Sequence, residues 1–489
     1  MNFRMIGKIN AFLLLIESAF MIPALIFALY DRDLAVVRAF LLSMGIIVAV
    51  AVVLYLLCRN AKKGFYAREG FVCVGLGWIL ISLFGSFPFW LSGQIPNFVN
   101  AIFETVSGFT TTGASIVNGV ESLARAVNYW RCFTHWLGGM GVLVFLLAIA
   151  PIGGDSEGFT LHLLRAESPG PSVGKLVPRM RRTAGILYII YVLLTFVNFL
   201  FLLCGGMPAF DSLCTAFATA GTGGFGIKND SLASYSPYIQ NVCTVFMLLF
   251  GVNFSCYYLI LLRQVKNVFK DEEFRLYWGI VVAATLLITW NLRGAATALG
   301  YTSFGETLRH AAFQVSSIIT TTGFATTDFD LWPTFSKTIL LCLMALGACA
   351  GSTGGGFKCA RLLILIKALA RNIRQLLHPN SVKVIHINGR KMDERTISNT
   401  NAYLAAYVAV IVVSFLVVSL DHVSVLTSFT SVLACMNNVG PGLDAVGPTC
   451  NYAGLSALSK IVLIIDMLAG RLEIFPIMIL FSGRTWKRY

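Results

Sequence analysis

Read for apolar and polar positions alone, the chain alternates between uncharged runs of about twenty residues and short stretches that hold most of its charge. A helix needs about 20 mostly apolar residues to cross the hydrocarbon core of a membrane. Ten runs approach or exceed that length: 9–30, 39–58, 71–92, 131–151, 183–205, 238–262, 275–293, 337–366, 400–420 and 458–482. Each predicts a transmembrane helix, and the even number puts both termini on one side. The connections within four successive span pairs are too apolar for simple loops, and each contains a related string. The first reads Phe103-Glu-Thr-Val-Ser-Gly-Phe-Thr-Thr-Thr-Gly113 and the third Phe313-Gln-Val-Ser-Ser-Ile-Ile-Thr-Thr-Thr-Gly323. The second, Ala218-Thr-Ala-Gly-Thr-Gly-Gly224-Phe225, aligns through its Gly-Phe, and the fourth is Cys435-Met-Asn-Asn-Val-Gly440-Pro441.

These strings recur at intervals of about 110 residues, as an internal repeat would. Each unit reads as span, short descending helix, glycine-containing return, span, and the first two spans fall outside it. Non-helical backbone survives at membrane depth only where protein or a water-filled cavity satisfies its polar groups. Four such returns around one axis can turn their carbonyls inward and replace the hydration shell of a cation. Glycine suits a residue whose backbone angles are closed to side-chain-bearing residues. The candidate binding residues are therefore Thr110, Thr111, Thr112 and Gly113; Thr222, Gly223 and Gly224; Thr320, Thr321, Thr322 and Gly323; and Asn437, Asn438, Val439 and Gly440. In the second return Gly221, Gly223 and Gly224 compete for the register. Acids follow the returns at Asp230, Asp328, Asp330 and Asp444, either as an outer mouth attractive to cations or as ordinary loop acids.

Composition agrees with a membrane protein. Of 489 residues 57% are hydrophobic and only 12% charged, against roughly 25% charged in a soluble domain. The formal charge is +14. With the N-terminus cytoplasmic, 27 basic residues lie in inside segments and nine in outside ones, a bias that sets the orientation. A nucleic-acid binder would gather them on one soluble face instead. The basic run Lys358–Arg395 either docks a cytoplasmic protein or merely satisfies the orientation rule, with anionic lipid compatible with both. The 12 cysteines and six histidines are scattered and form no disulfide or metal pattern. No HExxH or paired intramembrane aspartate points to an enzyme.

Two elements inside the spans could gate. The eighth span contains Gly347-Ala-Cys-Ala-Gly351-Ser352-Thr353-Gly354-Gly355-Gly356-Phe357-Lys358, and at about 1 kcal/mol per glycine relative to alanine it cannot stay a straight helix. A phosphate loop would need GxxxxGK[ST], which is absent. The tenth span holds Asp466, Arg471 and Glu473, costly at such depth. Arg471 either forms a buried ion pair with Asp466 or Glu473 or, as the likeness of Gly470-Arg471 to a motif of the family named below implies, sits beneath the returns as a barrier to cations. Glu17 in the first span reads as a structural acid.

At these returns the chain resembles the Trk/Ktr/HKT superfamily of potassium transporters, and within it the TrkH-type pore subunits, over essentially its whole length. The resemblance implies an all-α integral membrane protein of four fused span, pore-helix, span repeats with pseudo-fourfold symmetry, preceded by a transmembrane pair. The corresponding boundaries are 1–60 for the pair and 61–165, 166–270, 271–395 and 396–489 for the repeats. It further implies potassium as substrate with no covalent cofactor, a homodimer in the bacterial inner membrane, and a cytoplasmic TrkA-type nucleotide-binding regulatory subunit. In this family the glycine-rich interruption, here Gly351 to Gly356, lies as an intramembrane loop beneath the filter. The alternative is a proton- or sodium-coupled secondary transporter of another cation.

Overall fold

The computed structural model describes residues 1–60, 66–141, 180–380 and 384–486. The end of the fourth expected span and the expected boundary at 165/166 lie outside the described residues. The first span is Phe3–Phe20 and Ile22–Tyr30 in line, interrupted at Met21 where Pro23 removes a backbone donor. Leu34–Leu57, capped by the Asp33 carboxylate, packs against it, and its Leu41, Leu42, Val53 and Leu57 are exposed on the outer surface, as lipid-facing residues are. Among the described residues six helices are long and apolar enough to cross a membrane: Phe3–Tyr30, Leu34–Leu57, Ala67–Leu91, Ala184–Cys204, Glu272–Leu292 and Glu394–Asp421.

Four shorter helices enter between them. Phe98–Phe109, Ala209–Gly221, Phe304–Ile319 and Val425–Met436 are each followed by a non-helical return. Behind each return comes a second helix: Arg125–Gly139, Pro237–Phe250, Thr334–Leu346 and Ala457–Arg471. Glycines let the second helices press on the four shorter ones. A side-chain carbon at Gly138 would collide with the Phe109 carbonyl, one at Gly470 with the Met436 carbonyl, and one at Gly251 with the Thr320 side chain.

The second helices are not the straight spans expected at 238–262 and 458–482. Pro237–Phe250 and Phe254–Leu261 meet at 87° across Gly251–Asn253, where Asn253 caps the new helix through the Ser255 N–H at 2.9 Å. Ala457–Arg471 stops before Phe475–Phe481, with Glu473 and Ile474 both at positive φ. Thr334–Leu346 and Cys359–Leu377 are separated by the glycine-rich stretch, where Gly347, Gly351, Gly356 and Lys358 have positive φ.

One element departs from the all-α expectation. His386–Ile387 and Arg390–Lys391 pair antiparallel around Asn388-Gly389, both residues at positive φ, the conformation that an Asn-Gly hairpin turn favours. The turn docks on the start of Glu272–Leu292: the Asn388 N–H donates to Glu272 at 3.1 Å and its amide to Asp271 at 2.6 Å.

Candidate functional site

The four returns share one backbone course. Positive φ occurs at Thr111 and Gly113, Thr222 and Gly224, Thr321 and Gly323, and Asn438 and Gly440. In each, the residue between them donates its N–H five positions back: Thr112 to Ser107, Gly223 to Ala218, Thr322 to Ser317 and Val439 to Ala434, at 2.8–2.9 Å. Among the competing glycines of the second return, Gly224 therefore stands where Gly113, Gly323 and Gly440 stand.

The returns close on one another. A side-chain carbon at Gly113 would collide with the Gly223 carbonyl, one at Gly224 with the Thr322 carbonyl, one at Gly323 with the Val439 carbonyl, and one at Gly440 would crowd the Thr112 carbonyl at 2.7 Å. This order, first to second to third to fourth and back, is a ring. Glycine is required at these four positions both by φ and by the neighbour's backbone.

Side chains brace the ring from behind. Thr110 and Thr112 hydroxyls lie 2.8 Å apart, and Thr320 and Thr322 repeat the pair at 2.7 Å. The Asn438 amide donates to the Thr112 hydroxyl and the Met467 carbonyl, both at 3.0 Å. Asn437 exchanges hydrogen bonds with the Tyr407 hydroxyl at 2.8 and 3.0 Å. The Glu104 carboxylate and Arg131 guanidinium form a fully buried ion pair at 2.5 Å. Glu104 also accepts from Ser115 and the Ile116 N–H, and Arg131 donates to the Gly226 carbonyl at 2.8 Å. One pair thus ties the helix Phe98–Phe109, the chain leaving the first return and the chain leaving the second. Sequence reasoning assigned no role to Glu104, Arg131, His135 or Tyr407. An acid inside an otherwise uncharged pore-helix string was the available sign for Glu104.

The glycine-rich stretch lies against one end of the ring. The Gly355 N–H donates to the Thr321 hydroxyl at 2.7 Å. A side-chain carbon at Gly354 would meet the Thr320 carbonyl, and one at Gly355 the Asn437 carbonyl. The stretch is anchored beneath: Phe254 N–H to Gly351 O at 3.0 Å, Cys349 N–H to Gly251 O at 3.1 Å, and Ala350 N–H to Glu273 at 2.6 Å. The second-repeat break at 251–253 thus cradles it. Ser352 caps back onto the Cys349 carbonyl, and Gly356 stands against Gly347.

Arg471 reaches the same place. It donates to the Thr353 carbonyl at 2.8 Å, to the Gly139 carbonyl at 2.6 Å, to the Gly138 carbonyl, and to the Thr111 hydroxyl at 3.4 Å. The expected ion-pair partners are engaged elsewhere. Glu473 pairs with Arg361, and Asp466 accepts from the Ser414 hydroxyl at 2.7 Å. The guanidinium therefore joins the first return, the glycine stretch and the end of Arg125–Gly139.

Three of the four acids beyond the ring are engaged in loop architecture. Asp328 caps Asp330, Asp330 lies 3.6 Å from Lys337 and accepts the Asp444 N–H at 3.1 Å. Hydroxyls of Ser424 and Thr427 hold the Asp444 carboxyl below its ordinary value.

A membrane protein with helices that enter, return through a closed ring of carbonyl-bearing strands and exit belongs to the class of transmembrane transport proteins. The TrkH family model, described as cation transport protein, matches residues 37–488. The Trk system potassium uptake protein TrkH of Salmonella typhimurium is 38% identical over 497 residues, covering 100% of both chains. The Trk system potassium uptake protein TrkG of Escherichia coli is 32% identical, covering 99% of each. The crystal structure of the potassium transporter TrkH from Vibrio parahaemolyticus superposes with a TM-score of 0.88 at 33% identity over 100% of both chains. The chain belongs to the TrkH family.

Proposed function

We propose that this chain is the membrane-embedded pore of a potassium-uptake system and that the four returns are its selectivity filter. The observation that carries this reading is the closed ring of returns, each at the C-terminal end of a short helix. Each helix C-terminus bears about half a negative charge from its aligned peptide dipoles, so four of them converge a cation-favouring potential on the ring. Backbone carbonyls then substitute for hydration water. The names of the TrkH relatives supply potassium as the cation. The filter comprises Thr110–Gly113, Thr222–Gly224, Thr320–Gly323 and Asn437–Gly440, one return from each of the repeats 61–165, 166–270, 271–395 and 396–489.

Gly351–Gly356 and Arg471 form the gate in this reading. A potassium ion leaving the ring meets a stretch pressed against Thr321 and a guanidinium hydrogen-bonded to it. Like charges 4 Å apart repel by about 4 kcal/mol at an effective dielectric of 20, enough to stop conduction while Arg471 stays in place. A cytoplasmic nucleotide-binding subunit would release it by pulling on Cys359–Leu377, the helix that continues from the stretch. A homodimer in a bacterial inner membrane, with both termini cytoplasmic, completes the proposal.

The test is radioactive rubidium uptake into proteoliposomes, competed by potassium or sodium, with Gly113→Arg as the blocked control. Suppression by potassium and not sodium, lost in the control, is the expected result. Equal competition by both ions would overturn the filter assignment.

A further inference from the structure

Two glycines of the second return have no conformational reason to be glycine. Gly224 shares the positive φ of Gly113, Gly323 and Gly440, whereas Gly221 and Gly223 do not. The equivalent positions elsewhere carry Thr110 and Thr112, Thr320 and Thr322, and Asn437 and Val439. Space explains the difference. A side-chain carbon at Gly223 would overlap ring atoms of His135, and one at Gly221 the His135 carbonyl.

His135 comes from the preceding repeat, on Arg125–Gly139, and is fully buried. Its ring is held at both nitrogens. Nδ1 lies 2.7 Å from the Gly108 carbonyl oxygen on the first pore helix, and Nε2 lies 3.2 Å from the Phe225 backbone nitrogen just past the second return. A carbonyl only accepts and an N–H only donates, which fixes a neutral ring with its proton on Nδ1. The Phe225 ring packs on it with centroids 4.1 Å apart, and the Arg131 guanidinium sits 3.7 Å from the Phe225 centroid. A doubly protonated ring would turn Nε2 into a donor facing the Phe225 N–H.

We propose that His135 is a positioning residue for ion selectivity. Its ring fills the volume that side chains occupy behind the other three returns, and its two hydrogen bonds set the spacing between the first pore helix and the second return. This inference rests on the filter reading above. It makes His135 and Gly223 a matched pair, large against absent, where the other repeats have a side chain on the return itself. Because Gly223 has ordinary φ, its own backbone admits a threonine, and the three atoms nearest to a side-chain carbon there all belong to the His135 ring.

The experiment is a size swap read by the ratio of sodium to potassium concentrations that half-inhibit rubidium uptake. Gly223→Thr and His135→Ala should each lower that ratio by about tenfold, and the double variant should recover most of it, as expected for directly coupled neighbours. Full selectivity in Gly223→Thr, or a double variant no better than the worse single one, would overturn the inference. Should His135→Ala fail to fold, recovery of folded protein and of selectivity in the double variant supports it, and failure of the double variant as well overturns it. A merely structural role for His135 would lower the melting temperature and leave the inhibition ratio unchanged. If the unaltered chain itself fails to distinguish sodium from potassium, the filter reading falls, and this result is separate from any behaviour of the variants.

Discussion

Glu104 and Arg131 show how single residues hold the ring of returns together. Both are buried and each serves several partners besides the other, so removing one leaves the other charged in a dry site. Breaking such a pair costs about 3–5 kcal/mol. Glu104→Gln should therefore lower the thermal unfolding temperature of the purified protein sharply, and the Glu104→Gln, Arg131→Met double variant should lose less than the single one; a single variant as stable as the parent would refute the assigned role. Arg471→Ala removes four hydrogen bonds and the positive charge at once. Rubidium flux should rise at least tenfold, since about 1.4 kcal/mol corresponds to one decade; flux no faster in a folded variant would exclude the barrier. The existence of four returns was legible because related glycine-containing strings recur at intervals of about 110 residues. The network behind them was not. Arg131 lies 27 residues from Glu104, and His135 lies 90 from Phe225, so no local period connects them. The second return looked ambiguous in sequence because its glycines answer to a histidine in another repeat.

At the scale of elements, the glycine stretch is a strap across one end of the ring. Its grip on the returns includes the Gly355 N–H bond to Thr321. Thr321→Val keeps the shape and removes that acceptor, and rubidium flux should rise by several fold, consistent with about 1 kcal/mol for one hydrogen bond. Deleting 351–356 should raise flux further, and unchanged flux after deletion would rule out the strap as an obstruction. The break in the third repeat was readable because glycines crowd there. Those at Gly251–Asn253 and Glu473–Ile474 were not, because tertiary packing imposes them: Gly251 stands against Tyr277 and Thr320, and Glu473 is drawn to Arg361. The hairpin at 386–391 had a readable Asn-Gly turn, but its strands are two residues each and carry almost no pattern of their own.

Across the whole molecule, the basic residues gather in alternate connections along the chain, and the segment Lys358–Arg395 concentrates nine of them. Arg390 and Lys391 are exposed on the hairpin, away from the ring. If a nucleotide-binding cytoplasmic subunit regulates uptake as proposed above, replacing both with Glu should weaken its stimulation of rubidium uptake while leaving uptake without it unchanged; equal stimulation of parent and variant would remove this face from the docking surface. The multi-pass organisation was legible from hydropathy alone, since spans are set by length and composition.

The ring of carbonyls and glycines is assembled from one polypeptide, and this has an evolutionary consequence. In a pore made of four identical subunits, every substitution enters four times, and a histidine wedged behind one strand would have to fit behind all of them. A single chain can alter one quadrant and leave three untouched. Gly223 opposite His135, and Asn437 opposite Tyr407, are such private adjustments. Selectivity and conductance can then drift by small increments, one quadrant at a time, in a way that a symmetric tetramer cannot follow.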